Sequence, residues 1–141
     1  MTKDVLISFS SIQYNAESVS SKTEYAVQGV YYEKNNKHYL LYDEVMEGFK
    51  EPVKTKVKFG EDALEIIRSG PVSVCMLFEK NKKNVANYST PYGEIQLGIK
   101  TKKFIISSSP NNISINVEYS IESDGELLSE CIISIKIQPS I

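Results

Sequence analysis

The sequence predicts one all-β domain, a closed antiparallel meander barrel of calycin or lipocalin type with about eight to ten strands. Three observations carry that expectation. Apolar and polar residues alternate through most of the chain, turn-forming residues interrupt the alternation about every ten residues, and 141 residues suffice for one core but leave no room for a second domain. Alternation matters because successive side chains of a strand point to opposite faces, so a two-residue rhythm gives one buried and one wet face. An antiparallel sheet this large curls, and closure removes its exposed edges.

The first run, Val5 to Tyr14, follows Met1-Thr2-Lys3-Asp4 without the charged region, apolar stretch and cleavage site of a leader, so cytoplasmic residence is the default expectation. Glu24 to Glu33 and His38 to Glu44 come next, joined at Asn35-Asn36, a pair that tolerates the positive φ of a tight hairpin. Met46 to Pro52 is the least strand-like stretch and reads as a lid-like loop at one barrel end. Val53 to Phe59 alternates cleanly and meets Ala63 to Ser69 across Gly60-Glu61-Asp62. After Gly70-Pro71, Val72, Val74, Met76 and Phe78 share a face; Val85 to Thr90 follows the Asn81 to Asn84 turn.

Glu94 to Ser107 changes phase, since Ile95, Leu97, Ile99 and Thr101 share one face but Phe104 and Ile106 the other, and a β-bulge near Lys102-Lys103 reconciles the halves. Pro110-Asn111-Asn112 leads into Ile113 to Ile121, the cleanest alternation in the chain. Past Ser123-Asp124-Gly125, the last run puts Leu127, Cys131, Ile133, Ile135 and Ile137 on one face before Pro139 ends the ladder.

Composition narrows the function classes. No apolar run approaches the ~20 residues that span a bilayer, so no membrane role is expected. A formal charge of −2 speaks against nucleic acid. The clusters Lys54, Lys56, Lys58 and Lys100, Lys102, Lys103 read as solvated strand faces. Cys75 and Cys131, each among apolar neighbours, read as free, small hydrophobes. The one histidine, His38, sits beside a turn and reads as solvent-facing; no Cys or His pair has ligand spacing, so neither a metal nor a cofactor is expected. No phosphate-cradling glycine loop is present. The carboxylate pairs Asp43-Glu44 and Glu61-Asp62 are sequential neighbours rather than acid-base dyads.

The most informative polar residue is Arg68, the sole arginine, which shares parity with Leu64 and Ile66. If that face is interior, the guanidinium needs carboxylate, carbonyl or tyrosine partners. Three readings stay open: a ligand anchor, a structural clasp across the barrel end, or a side chain that snorkels to water. Nine tyrosines against five phenylalanines add amphipathic surface, with Tyr31, Tyr32, Tyr39, Tyr42, Tyr88 and Tyr92 either lining a barrel mouth or forming cross-strand surface pairs.

The succession Gly29-Val30-Tyr31-Tyr32, Tyr39-Leu40-Leu41-Tyr42-Asp43-Glu44, Val53-Lys54-Thr55, Val57-Lys58 and Ile67-Arg68-Ser69-Gly70 with Met76 resembles the YwiB-like family of small bacterial proteins. Tyr88, Thr90, Gly93, Glu94, Leu97 and Thr101 continue the likeness. The resemblance implies a calycin-like barrel, related in shape to lipocalins and fatty-acid-binding proteins, and it brings no established activity and no catalytic residues.

The expectation is a non-enzymatic module that holds a small apolar or amphipathic ligand, with Arg68, Tyr42, Tyr88, Thr90, Glu44 and Tyr92 as candidate contacts. The alternative is a side-chain-filled barrel whose faces bind another protein or a second copy in a homo-oligomer. An enzyme acting on a lipid-like ester or thioester lacks a base and metal ligands in this sequence, and would need a cavity holding Arg68 beside a carboxylate of strongly raised pKa.

Overall fold

The computed structural model describes residues 2–15, 18–45, 50–71 and 73–140; Val72 and residues 46–49 of the expected lid-like loop lie outside them. Among the described residues ten strands form: β1 (Thr2–Asn15), β2 (Ser18–Lys34), β3 (Lys37–Glu44), β4 (Val53–Phe59), β5 (Ala63–Ser69), β6 (Ser73–Glu79), β7 (Lys83–Thr90), β8 (Gly93–Ser109), β9 (Asn112–Ser123) and β10 (Glu126–Pro139). Each pairs antiparallel with its chain neighbour, and β1 pairs with β10 to close the ring. No helix among these residues is long and apolar enough to cross a membrane.

The turns form where the sequence places them, and for the stated reason. Asn35 and Asn36 adopt φ of 52° and 65°, and Asp124 and Gly125 adopt 51° and 80°, the doubly positive pattern that matches the twist of a two-residue hairpin. The bulge in β8 is also present: Thr101 opposes Tyr119 and Lys103 opposes Glu118, so Lys102 is the extra residue. The inward face passes from Ile99 and Thr101 to Phe104.

A second bulge corrects the reading of the last strand. Leu127 opposes Glu122 and Ser129 opposes Ile121, so Leu128 is inserted and the phase reverses. Leu127 therefore lies outside the barrel, 59% exposed, and Ser129 takes the inward position, where Gln13 Nε2 donates to its Oγ at 2.7 Å. Cys75 is a further correction. It alternates with Val74 and Met76, so it faces out and is exposed beside Glu65, while Cys131 is buried; both thiols are free.

Inward side chains from all ten strands fill the middle of the barrel. Ile7, Leu40, Phe59, Leu64, Ile66, Phe78, Ile99 and Ile115 are among those fully buried, each worth roughly 1.5–3 kcal/mol of transfer free energy. Phe78 of β6 and Tyr119 of β9, strands that are not neighbours in the ring, meet edge to face with centroids 4.8 Å apart. Gly29 belongs to the same layer. A Cβ there would come within 2.7 Å of both the Leu41 carbonyl oxygen and Ile7 Cδ1, so only glycine lets β1, β2 and β3 approach this closely.

Two seams interrupt the ladders. Among the described residues β2 pairs with β3 only from Val30↔Leu41 to Lys34↔Lys37, although β2 follows β1 as far as Asn15↔Ser18. Between β6 and β7 the register holds only at Ser73↔Ser89 and Val74↔Tyr88. The backbone of the β6–β7 turn bonds to β8 instead: Asn81 N donates to Thr101 O at 3.0 Å and Thr101 N to Lys82 O at 3.1 Å.

Candidate functional site

Barrel closure resolves the orientation of Arg68. The register Tyr42↔Thr55↔Arg68↔Val74↔Tyr88 runs round five strands at one end, with all five residues facing inward. Arg68 Nε lies 3.6 Å from Glu44 Oε1, both side chains largely buried. Tyr25 Oη donates to Glu44 Oε1 at 2.9 Å and shares a 3.0 Å hydrogen bond with Tyr42 Oη. The Tyr25 ring also stacks on Phe9 at 4.9 Å. Tyr25, Tyr42, Glu44 and Arg68 thus span the lower half of the β2–β3 seam, where the backbone ladder has ended.

Burial, joined at Tyr25 by the neighbouring Tyr42 and Glu44, raises the Tyr25 and Tyr42 phenols well above their ordinary value. Burial works against the Arg68 cation, but Glu44 and the surrounding phenols outweigh it and raise the guanidinium further. Tyr88 donates to Met76 Sδ at 3.3 Å, and burial raises its phenol too. These charges compensate one another at close range, in the arrangement of a clasp. Thr55 Oγ1 and Arg68 Nε stay buried without hydrogen-bond partners.

Of the six predicted contacts, the fold therefore gathers Arg68, Tyr42, Glu44 and Tyr88. Thr90 ends β7 opposite Gly93, and its side chain lies outside the described residues. Tyr92 does not join them: it sits in the β7–β8 turn, 97% exposed. Tyr32 and Tyr39 form an outward cross-strand stack with centroids 4.8 Å apart, and Lys56 and Lys58 lie over the Tyr39 ring at 5.4 and 5.8 Å.

Open space lies at the opposite mouth, between the β2–β3, β4–β5 and β8–β9 turns, and also beside Phe9, Glu24 and Tyr25, where a cavity of about 370 Å³ is found. A cavity of about 540 Å³ spans the mouth from Phe59 and Glu61 to Phe104, Ile106 and Ile113. A second, of about 220 Å³, adjoins it along Val5, Tyr31, Glu33, Ile113 and Ile137. His38, Ser108 and Ile113 line both. Arg68, Tyr42, Glu44 and Tyr88 line neither.

His38 corrects the solvent-facing expectation. It shares parity with Leu40 and Tyr42, so its ring turns inward and stacks on Phe59 at 4.8 Å and 13°. Its Nδ1 lies 2.6 Å from Tyr31 Oη, which also donates to Glu33 Oε1 at 3.2 Å. Burial, with the Glu33 carboxylate, pushes the Tyr31 phenol up to about 12. Of the two readings the sequence left open for Tyr31, the barrel mouth is the one found; His38, Phe59 and Phe104 are not legible as its wall, although the shared parity of His38, Leu40 and Tyr42 is a signal for His38.

Comparison with known proteins agrees with this architecture. A family model described as "Domain of unknown function (DUF1934)" matches residues 7–135. The chain is 32% identical over 103 residues to "Uncharacterized beta-barrel protein YwiB" of Bacillus subtilis (strain 168), covering 73% of this chain and 71% of that protein. The crystal structure of ywiB protein from Bacillus subtilis superposes with a TM-score of 0.87 at 24% identity, covering 99% of this chain and 94% of that one.

Proposed function

The chain belongs to the DUF1934 family, and from that premise we propose that it is a non-enzymatic binding module which takes a small amphipathic ligand into the mouth lined by His38. One observation carries the reading. The 540 Å³ cavity falls within the usual 300–1,000 Å³ of small-molecule sites, and it sets an apolar wall of Phe59, Phe104, Ile106 and Ile113 against one imidazole. A calycin-like shape, which the resemblance to the YwiB-like family implies, would support the same reading by analogy of architecture alone. A cytoplasmic site and a small diffusible ligand complete it.

Native mass spectrometry of the purified chain, followed by amide NMR with a panel of apolar and amphipathic compounds, tests the reading. A co-purifying mass, or shifts centred on His38, Phe59 and Phe104, supports it. A bare mass together with an unperturbed spectrum across the panel overturns it.

A second reading draws on a different observation. Val45, Ile95, Leu127 and Leu128 are exposed near the lower end of the barrel, and the middle of the barrel is filled by side chains. A protein partner or a second copy would cover these residues. Sedimentation that shows a concentration-independent monomer argues against the second copy.

A further inference from the structure

One placement of protons satisfies both contacts of Tyr31. Tyr31 Oη meets Glu33 Oε1 at 3.2 Å and His38 Nδ1 at 2.6 Å, yet a phenol has one proton to donate. A carboxylate only accepts whereas an imidazole nitrogen can donate, so both contacts are made at once when the phenolic proton goes to Glu33. Burial and the Glu33 carboxylate hold that proton in place by pushing the phenol up to about 12. The 2.6 Å contact is then satisfied only when Nδ1–H donates to Oη. A neutral imidazole protonated at Nδ1 carries its lone pair on Nε2. No hydrogen-bond partner for Nε2 occurs among the described residues, and His38 borders both cavities.

The mouth therefore offers an acceptor. Its charged surroundings reinforce the point: Glu33 and Glu61 are lining carboxylates, and Lys3, on the smaller cavity, is the lining cation. The chain's only arginine, the natural fork for a carboxylate ligand, stands at the opposite end beside Glu44. Resting on the binding reading above, we propose that the site selects an apolar molecule bearing an uncharged hydroxyl, a phenol or a long-chain alcohol, whose O–H donates to Nε2 of His38. The hydrocarbon part lies against Phe59, Phe104 and Ile106, and a free carboxylic acid is rejected at this site.

Because His38 is the chain's one histidine, a long-range proton–nitrogen correlation spectrum of the intact protein at mildly alkaline pH reports its tautomer without assignment. The expected result is Nδ1–H, shifting toward Nε2–H in Tyr31→Phe. Calorimetric titration with 2-naphthol, 2-methoxynaphthalene and 2-naphthoate supplies the second readout. The naphthol binds about tenfold tighter than either analogue, the scale of one good hydrogen bond, and His38→Phe, which keeps a ring against Phe59, abolishes the difference. An Nε2–H tautomer in the unmodified chain, or equal binding of the three probes, overturns the hydroxyl selection and leaves the binding reading standing. No binding by any probe overturns both.

Discussion

Replacing Glu44 by leucine, Arg68 by methionine, and both together tests the clasp across the β2–β3 seam. In Glu44→Leu the Arg68 cation stays largely buried, its nearest carboxylate gone from 3.6 Å away, and breaking such a pair by removing one partner costs about 3–5 kcal/mol. In Arg68→Met the surviving Glu44 still accepts from Tyr25 at 2.9 Å, so the loss is smaller, about 1–2 kcal/mol. The double variant replaces an ion pair by apolar groups of similar volume and returns to within about 1 kcal/mol of the parent. For 141 residues the unfolding entropy is about 0.3 kcal/mol/K, so a 3 kcal/mol loss lowers Tm by about 10 °C. Urea denaturation gives the three free energies, and a coupling energy near 2 kcal/mol or more is expected. Additive losses, with coupling below about 0.5 kcal/mol, would refute the clasp, because independent side chains do not rescue one another.

Three further outcomes follow from other parts of the barrel. Thr55→Val removes a buried hydroxyl that has no partner, so stability is unchanged or rises by about 1 kcal/mol in urea melts; a loss beyond 1 kcal/mol means the hydroxyl is bonded after all. Gly29→Ala forces a methyl to 2.7 Å from the Leu41 carbonyl oxygen and lowers the urea midpoint by the equivalent of about 1–3 kcal/mol, whereas an unchanged midpoint would show that the strands yield freely. The raised phenols set an alkaline limit. A folded pKa above the unfolded 10.0 means that the native state holds the proton more tightly, so the Tyr31 contribution is complete below pH 10 and lost as pH rises through about 12. Tyr25, Tyr42, Tyr88 and Tyr119 shift in the same direction as Tyr31, so the tyrosinate absorbance of these five phenols should rise together with loss of strand signal; their full titration in a folded barrel contradicts this.

The fold was legible because parity is a local property. Ile113 to Ile121 and Val53 to Phe59 state their inward faces outright, and even the Lys102 bulge shows as a broken alternation between Thr101 and Phe104. The bulge at Leu128 was not legible, since Leu127, Ser129 and Cys131 keep one parity and the inserted residue is itself apolar. The site divided in the same way. Arg68, Tyr42, Glu44 and Tyr88 could be gathered from strand register, but whether the space among them is open depends on what reaches in from elsewhere. Tyr25 of β2 fills it, and nothing local to Arg68 announces Tyr25. The mouth is harder still. Phe59 and Phe104 stand on β4 and β8, separated round the ring by three strands in one direction, and only closure makes them opposite walls.

On the binding reading, the barrel is closed by side chains at its Arg68 end and open to a ligand at its His38 end. Amide chemical-shift mapping of the intact chain during titration with 2-naphthol tests this most directly. Perturbations should cluster at His38, Phe59, Phe104 and Ile113 and leave Tyr42, Glu44, Arg68 and Tyr88 unmoved. Shifts centred on Arg68 and Glu44 would contradict it, because they would place the accessible space where the structure places a clasp.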